Sequence, residues 1–346
     1  MQQIKTALLS YGMSGKVFHA PFLNFHPGFE LKGSWERSKK LIQADYPSVK
    51  SYASIEDLLE DDIDLVVVNT PVETHYEYAK KALLAGKHTL VEKAFTTTVA
   101  QAQELAKLAA EKGLKLAVFQ NRRWDSDFKT VKKVVTDNLL GKIIEAEFHF
   151  DRYNPNLSPK QHKEVASSGA GILKDLGPHL IDQALFLFGF PKAVFADIRI
   201  TRAHSLVDDY IDILLYYTDF RVRLKAGFFV REPIPSFIVH GEKGSFLKPR
   251  GDVQEDDLKL GKKPNLDSWG TESEIHQGLL HTEINNDIYK ANLPTLQGNY
   301  YDFFDGVYQS IIHNKTEPVT AQEGVHVMQI IEAAQQSSEQ KTVINL

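Results

Sequence analysis

The chain contains no cysteine. Disulfides, cysteine-ligated metals and thiol nucleophiles are therefore excluded. It also has no apolar run approaching the ~20 residues that a membrane-spanning helix needs. The first ten residues run straight into a strand-like segment, without the apolar core and cleavage site of a secretory signal, so a cytoplasmic location is expected. Charge of one sign is not in excess. Forty basic against 45 acidic residues leave a net charge of −5, which argues against a general nucleic-acid surface. The 13 histidines are scattered, and His19, His26, His75 and His88 lack ligand-like grouping, so no metal site is expected. No internal repeat or low-complexity tract is evident. What remains is ordinary globular usage, 42% hydrophobic and 25% charged over 346 residues, enough for about two domains at ~100–200 residues each.

The first 120 residues alternate strand and helix signals. Strands are expected at 4–10, 29–35, 64–69, 88–91 and 114–119, and helices at 16–24, 38–45, 54–59, 74–85 and 98–112. Residues 65–68 form a continuous apolar run, which suits a strand covered on both faces. Ser54 is a good N-cap, and Gly86 and Gly113 follow helices as C′ residues. Such alternation with short connections gives a parallel sheet with right-handed crossovers. The pattern then changes. A helix at 126–138 closes at Gly141, a long strand covers 143–153, and 154–171 reads as a long loop. An amphipathic helix follows at 175–188, with Leu176, Ile181, Ala184, Leu185 and Phe188 on its apolar side. Strands near 193–201, 210–217, 221–230, 237–240 and 245–248 have hairpin-like joins, as in a largely antiparallel sheet. Residues 251–298 read mostly as loop, and 300–313 and 321–337 as closing helices. The division expected is 1–121 and 122–346.

Three features carry chemistry. Ser10-Tyr11-Gly12-Met13-Ser14-Gly15 lies between the first strand and the first helix, close to the dinucleotide fingerprint G-x-G-x-x-G but with Ser10 at its first position. Gly12 lets the backbone approach a pyrophosphate, Gly15 lets helix and strand pack closely, and the helix N-terminus offers free N–H donors; a plain glycine turn has the same composition. After the second strand, Glu36 suits the ribose hydroxyls of NAD, whereas Arg37, Ser38, Lys39 and Lys40 suit the phosphate of NADP; the balance leans slightly to NAD. Lys93 follows the fourth expected strand, where a partly desolvated ammonium can stabilise charge on an alcohol or carbonyl oxygen. Asp175 and His179 stand four residues apart, about 40° of rotation on one helix. His179 is the natural general base. Asp175 serves equally as a cap, and Asp182 either orients the ring or faces solvent.

These segments together resemble the glucose–fructose oxidoreductase/inositol dehydrogenase (Gfo/Idh/MocA) family. The matching residues are Gly12 to Gly15 with His19, Ala20 and Pro21; Val68, Asn69, Thr70 and Pro71 with His75; Ala82 to His88 leading into Val91, Glu92 and Lys93; and Gly171, Asp175, His179 and Asp182. The likeness runs from residue 4 to about residue 340. It is greatest to the scyllo-inositol dehydrogenase-like group, through 120–125, 150–155, 237–241 and 267–270. The resemblance implies an α/β fold with an N-terminal Rossmann parallel sheet and a C-terminal α+β domain on an open, mainly antiparallel sheet. It implies a homodimer or homotetramer built through that sheet. Lys93, Asp175 and His179 would be the catalytic set. Thr70, Pro71, His75, Glu92 and Gln120 would join the Gly12–Met13–Ser14–Gly15 turn, Glu36 and Arg37 near NAD or NADP. Arg122, Arg152, Tyr153 and Asn154 match positions near the substrate. Two residues depart from the family pattern. Ser10 replaces a glycine, and Ala94 replaces the proline after the lysine, where the peptide is often cis. A non-proline cis bond costs about 3 kcal/mol, so a trans peptide is expected here.

The activity implied is NAD(P)-dependent hydride transfer at a CH–OH group of a polyol or sugar held between the domains. In it His179 takes the hydroxyl proton, Lys93 stabilises the alkoxide and Asp175 holds a hydroxyl. A non-catalytic nucleotide- or sugar-binding sensor of the same fold is the alternative, disfavoured because such relatives typically lack the lysine and histidine. An imine or bilin reductase is less favoured still, because those substrates need no alcohol base.

Overall fold

The computed structural model describes residues 2–37, 39–158 and 164–346. The chain divides into two compact units: Met1–Asn121, Val253–Trp269 and Asn299–Val325 form the first, and Arg122–Asp252, Gly270–Gly298 and His326–Leu346 the second. Segments 253–269 and 299–325, which the sequence reading put with the second half, thus belong to the first unit. Aromatic packing explains this. Fully buried Phe22 stacks on Phe304 with ring centroids 5.3 Å apart and meets Trp269 edge-on at 6.4 Å. The Gln254 Oε1 accepts from the Trp269 indole at 3.1 Å and from the Tyr300 amide at 2.8 Å.

The first unit holds six parallel strands: β1 (Ile4–Leu8), β2 (Phe29–Trp35), β3 (Lys50–Tyr52), β4 (Leu65–Val68), β5 (His88–Glu92) and β6 (Leu116–Phe119). Their order is β3-β2-β1-β4-β5-β6. Every residue of β4 and β6 is buried, as strands covered on both faces require. Two of the connecting helices start at side-chain caps, of which Ser54 was expected. Ser54 Oγ accepts from the Asp57 amide at 3.0 Å, and Thr98 Oγ1 from that of Gln101 at 3.3 Å. The first helical segment opens as a π-helix, Gly15–His19, and continues as an α-helix, Ala20–Phe25. The helix expected over 38–45 is only Ile42–Asp45. The Glu36 carboxylate takes the Leu41 and Ile42 amides and fixes its start there. Ser38 lies outside the described residues.

The second unit is built on a nine-stranded sheet. Its strands are β7 (Ile143–His149), β8 (Ala193–Arg199), β9 (Tyr210–Tyr216), β10 (Arg221–Gly227), β11 (Phe237–Gly241), β12 (Gly244–Lys248), β13 (Gly278–Ile284), β14 (Asp287–Leu293) and β15 (Ile344–Asn345). They run in the order β14-β13-β12-β11-β7-β10-β9-β8-β15. Only the β7–β10 pair is parallel. Burial alternates along β9, where Ile211, Ile213 and Leu215 face inward, so one face is covered and one is open. The helix Gly177–Phe188 lies over β7 and β10.

Of the expectations beyond residue 122, one is extended and one is corrected. Residues 251–298, expected as mostly loop, also hold the helix Gln254–Lys259 and the β13–β14 hairpin. The hairpin turns through Asn285 and Asn286, both in the left-handed region at φ 54° and 68°, the two-residue arrangement that matches strand twist. The helix expected over 175–188 is two, Ile172–Asp175 and Gly177–Phe188, parted at Leu176. Pro178 is the physical reason, since it offers no amide to the Lys174 carbonyl four residues back and its ring crowds that carbonyl. The loop 154–171 is irregular where described; residues 159–163 lie outside the described part. Among the described residues no helix is long and apolar enough to cross a membrane.

The short helix Ile172–Asp175 is held from the loop that leads into β9. The Ile172 amide donates to the Asp208 carbonyl and the Leu173 amide to the Asp208 carboxylate, at 2.8 and 2.7 Å. Gly171 before it has φ +92°, and an added Cβ would fall 2.0 Å from Asp208 Oδ1. Gly171→Ala is therefore expected to destabilise the protein by about 2 kcal/mol or more, measured as a lowered urea midpoint; an unchanged midpoint contradicts this account of the cap.

Candidate functional site

In the first unit, a pocket of about 290 Å³ opens at the carboxyl ends of the parallel strands, lined among others by Ser10, Gly12, Glu36, Arg37, Lys39, Thr70 and Pro71. The expected glycine turn forms its floor. Ser10 takes the place of a glycine by using its own side chain: its Oγ accepts from the Gly12 amide at 3.2 Å, and its carbonyl accepts from Asn69 Nδ2 at 2.8 Å. Gly15 cannot be replaced so easily, because a Cβ there would lie 2.4 Å from the Ser10 carbonyl oxygen. Met13 is half exposed on the turn. Tyr11 ties the turn to the segment after β2 by donating to Asp45 at 2.8 Å, a carboxylate that also pairs with Lys16 at 2.8 Å.

Glu36 lines the pocket, but both its oxygens already serve backbone donors, Leu41 at 2.9 Å and Ile42 at 3.0 Å. Its charge is thus largely answered within its own loop, while Arg37 and Lys39 line the same pocket. Thr70 and Thr74 share a hydroxyl–hydroxyl bond of 2.7 Å. His75 sits behind the Thr70 loop. It is fully buried, and its two ring nitrogens lie 2.9 Å from the Ala94 carbonyl and 2.8 Å from the Thr70 carbonyl. Burial holds its pKa below the ordinary imidazole value, against these two carbonyls and Glu92, which favour the charged form.

β5 ends in Glu92 and Lys93 follows it directly. The Glu92 carboxylate takes the Ser14 hydroxyl, His19 Nε2 at 3.0 Å and the Lys93 amide at 3.2 Å. Burial pushes its pKa up, but His19, Ser14 and nearby Lys93 together hold it below the usual carboxylate value. The Lys93–Ala94 peptide is cis, which corrects the trans expectation; Ala94 is fully buried, with its carbonyl held by His75. The polar residues that follow β4 and β6, Asn69 and Gln120, are buried, and Asn69 Oδ1 and Gln120 Oε1 have no hydrogen-bond partner among the described residues. A tight glycine turn, free acceptors at strand ends and basic groups at the pocket's edge fit a dinucleotide.

In the second unit, Asp175 ends the short helix and His179 lies one turn on, in the next helix and 6% exposed. They follow one another across the break at Leu176 and do not share one regular helix. Asp182 does not face solvent: it is 2% exposed, and Arg123 grips it in a buried bidentate pair at 2.8 and 2.7 Å. Arg122 and Arg152 both flank the Phe150 ring, with guanidinium carbons 5.4 and 5.0 Å from its centroid. Tyr153 and Asn154 extend the β7 strand line, Tyr153 bridging to Phe229 and the Asn154 amide bonding the Phe228 carbonyl at 2.9 Å. Three residues to which sequence reasoning gave no role act here or in the first unit. Arg250 lies 4.1 Å from the Phe150 centroid. Arg202 joins Asp209, Glu164 and the Asn156 carbonyl, so it organises the loop 154–171. His19 is the third. Nothing local in the sequence marks these partners, whose contacts reach 7 to 101 residues along the chain. Among the described residues no group of three or more histidines and carboxylates could hold a metal.

Comparison with known proteins agrees with this architecture. Residues 4–120 match the model of the oxidoreductase family's NAD-binding Rossmann fold, and residues 132–346 that of its C-terminal alpha/beta domain. The chain is 37% identical over 344 residues to scyllo-inositol 2-dehydrogenase (NADP(+)) IolW of Bacillus subtilis, covering 99% of this chain and 96% of that one. A putative oxidoreductase of Bacteroides fragilis superposes with a TM-score of 0.92 at 45% identity, over the full length of both chains. The B. subtilis oxidoreductase yvaA does so with a TM-score of 0.94 at 36% identity, again over both full lengths. With its glycine turn after β1, its Glu92–Lys93 pair closing β5 and both family domains matched along its length, the chain belongs to the Gfo/Idh/MocA oxidoreductase family.

Proposed function

We propose that the chain is a dehydrogenase that moves hydride between NADP(H) and a CH–OH group of a polyol or sugar of the inositol class. The observation that carries the reading is the pocket at the strand ends, with Lys93 held immediately after β5 in the same unit. When bound, the nicotinamide supplies the hydride acceptor or donor. Lys93 then donates to the reacting oxygen and stabilises its negative charge, His179 takes the hydroxyl proton on an imidazole nitrogen, and Asp175 accepts from a substrate hydroxyl. Arg122, Arg152, Tyr153 and Asn154 contribute substrate contacts, and Gln120 a cofactor contact. The relative IolW bears a name of this chemistry, which supports the reading.

The phosphate-bearing cofactor is favoured over NAD, against the slight lean that Glu36 gave from sequence. Its carboxylate is engaged by two amides, and a 2′-phosphate would meet Arg37 and Lys39. The open face of the nine-stranded sheet supports self-association through a second copy. Across it run half-exposed Leu279, Leu247 and Ile238, then the Glu147 and Arg223 pair of positions, then Leu214 and Phe195, in register on successive strands.

Three measurements test these statements. Lys93→Met and His179→Ala should each lower kcat by ~10²-fold or more with scyllo-inositol or another polyol of a panel, while cofactor binding persists; near-normal turnover in both removes the mechanism. Arg37→Ala with Lys39→Ala should raise KM for NADP+ about tenfold and leave that for NAD+ within about twofold; equal changes for the two cofactors refute the preference. Light scattering should give a multiple of the 39.1 kDa chain mass, and Leu214→Arg with Leu247→Arg should reduce it toward one chain; a monomeric wild type contradicts the association.

A further inference from the structure

Two buried histidines of the first unit have no part in the reaction as proposed. His19 is fully buried, 4.4 Å from the Phe119 ring and edge-on to Phe304 at 6.0 Å. A phenylalanine would fill that space. Its Nδ1 is buried with no hydrogen-bond partner among the described residues, a cost that packing alone does not explain. Its Nε2 explains the residue, because it reaches Glu92 Oε1 at 3.0 Å. The same oxygen takes the Ser14 hydroxyl, from the turn whose Ser10, Tyr11 and Gly12 line the pocket. The other oxygen of Glu92 takes the Lys93 amide. On the far side of Lys93, His75 lies between the Ala94 carbonyl and that of Thr70, with one ring nitrogen 2.9 Å from the first and the other 2.8 Å from the second, and Thr70 also lines the pocket. Each chain neighbour of Lys93 is thus joined through a buried imidazole or carboxylate to one of the two loops that form the nucleotide pocket.

We propose that His19 and His75 are positioning residues that couple the nucleotide-binding loops to the orientation of Lys93. The proposal rests on Lys93 meeting the reacting oxygen, as above. A ligand that orders the Gly12 turn and the Thr70–Pro71 loop then also orders the strand end carrying the ammonium, so that Lys93 is aligned when cofactor is in place. Positional errors of about 1 Å at such a group are costly to catalysis, and buried hydrogen-bond networks are suited to limiting them.

The test uses the full chain with NADP+ and scyllo-inositol for turnover, and NADPH followed by nicotinamide fluorescence for binding. His19→Phe keeps ring volume and removes the donor; His19→Gln places an amide N–H near the position of Nε2. In folded His19→Phe, checked by its thermal midpoint, kcat is expected to fall about tenfold and NADPH binding to weaken about threefold or more. His19→Gln is expected to restore both to within about threefold of wild type. In a Lys93→Met background, His19→Phe should lower the residual rate by less than about twofold, because its effect on turnover passes through Lys93, and should still weaken NADPH binding. Ser14→Ala removes another Glu92 donor from outside the core, is expected to shift kcat and binding in the same direction, and carries the test where His19→Phe does not fold. Wild-type turnover and NADPH affinity in these variants, or a folded His19→Gln as impaired as His19→Phe, overturns the coupling. Failure of the underlying reading has a different signature: Lys93→Met alone then keeps its turnover.

Discussion

Covering both faces of a parallel sheet leaves its polar chemistry only one place to go. β4 and β6 are buried from end to end, so no side chain along their length can meet water or ligand. The polar groups gather where the strands stop. Asn69 follows β4, Glu92 ends β5 and Gln120 follows β6, and all three are buried. Their neighbours on the next loops, Ser10 and Thr70, line the nucleotide pocket. The site in this unit is therefore a consequence of sheet burial, and the residues around it are held by backbone groups and by one another.

Much of this architecture was legible because it rests on local physics. The apolar run 65–68, the cap Ser54, and the glycines ending helices at Gly86 and Gly113 act within a few residues of themselves. The alternation along β9 and β10 likewise reports one covered face. The β13–β14 hairpin was missed because its strands carry charge and polar residues on an exposed edge, which weakens the apolar alternation; the Asn285–Asn286 pair was the available signal. The break at Leu176 was also available, through Pro178, but the apolar periodicity continues across it and masked it.

The site was legible in residue type and less so in role. The glycine turn and the Glu92–Lys93 pair were recognisable from position after strands. Whether Glu36 faces a ribose or its own backbone depends on a loop closing five and six residues later, which no propensity reports. His75, read as matching a position near the cofactor, is buried between two carbonyls. Asp182 pairs with Arg123 59 residues away, and Ser10 works in place of glycine by supplying its own acceptor. In each case the deciding partner is remote in sequence or is a backbone atom, and neither leaves a pattern along the chain.

The outermost strand β14 has one more consequence. Ile288 and Tyr289 are 72% and 40% exposed, on a strand bonded along only one side, to β13. An unsatisfied edge of this kind invites a foreign strand to dock and begin a growing fibre. Here Asp287 and Lys290 interrupt the apolar residues with charges of opposite sign, which a docking strand would have to strip of water. A strand that paired with this edge would therefore desolvate one charge at each end of the apolar pair.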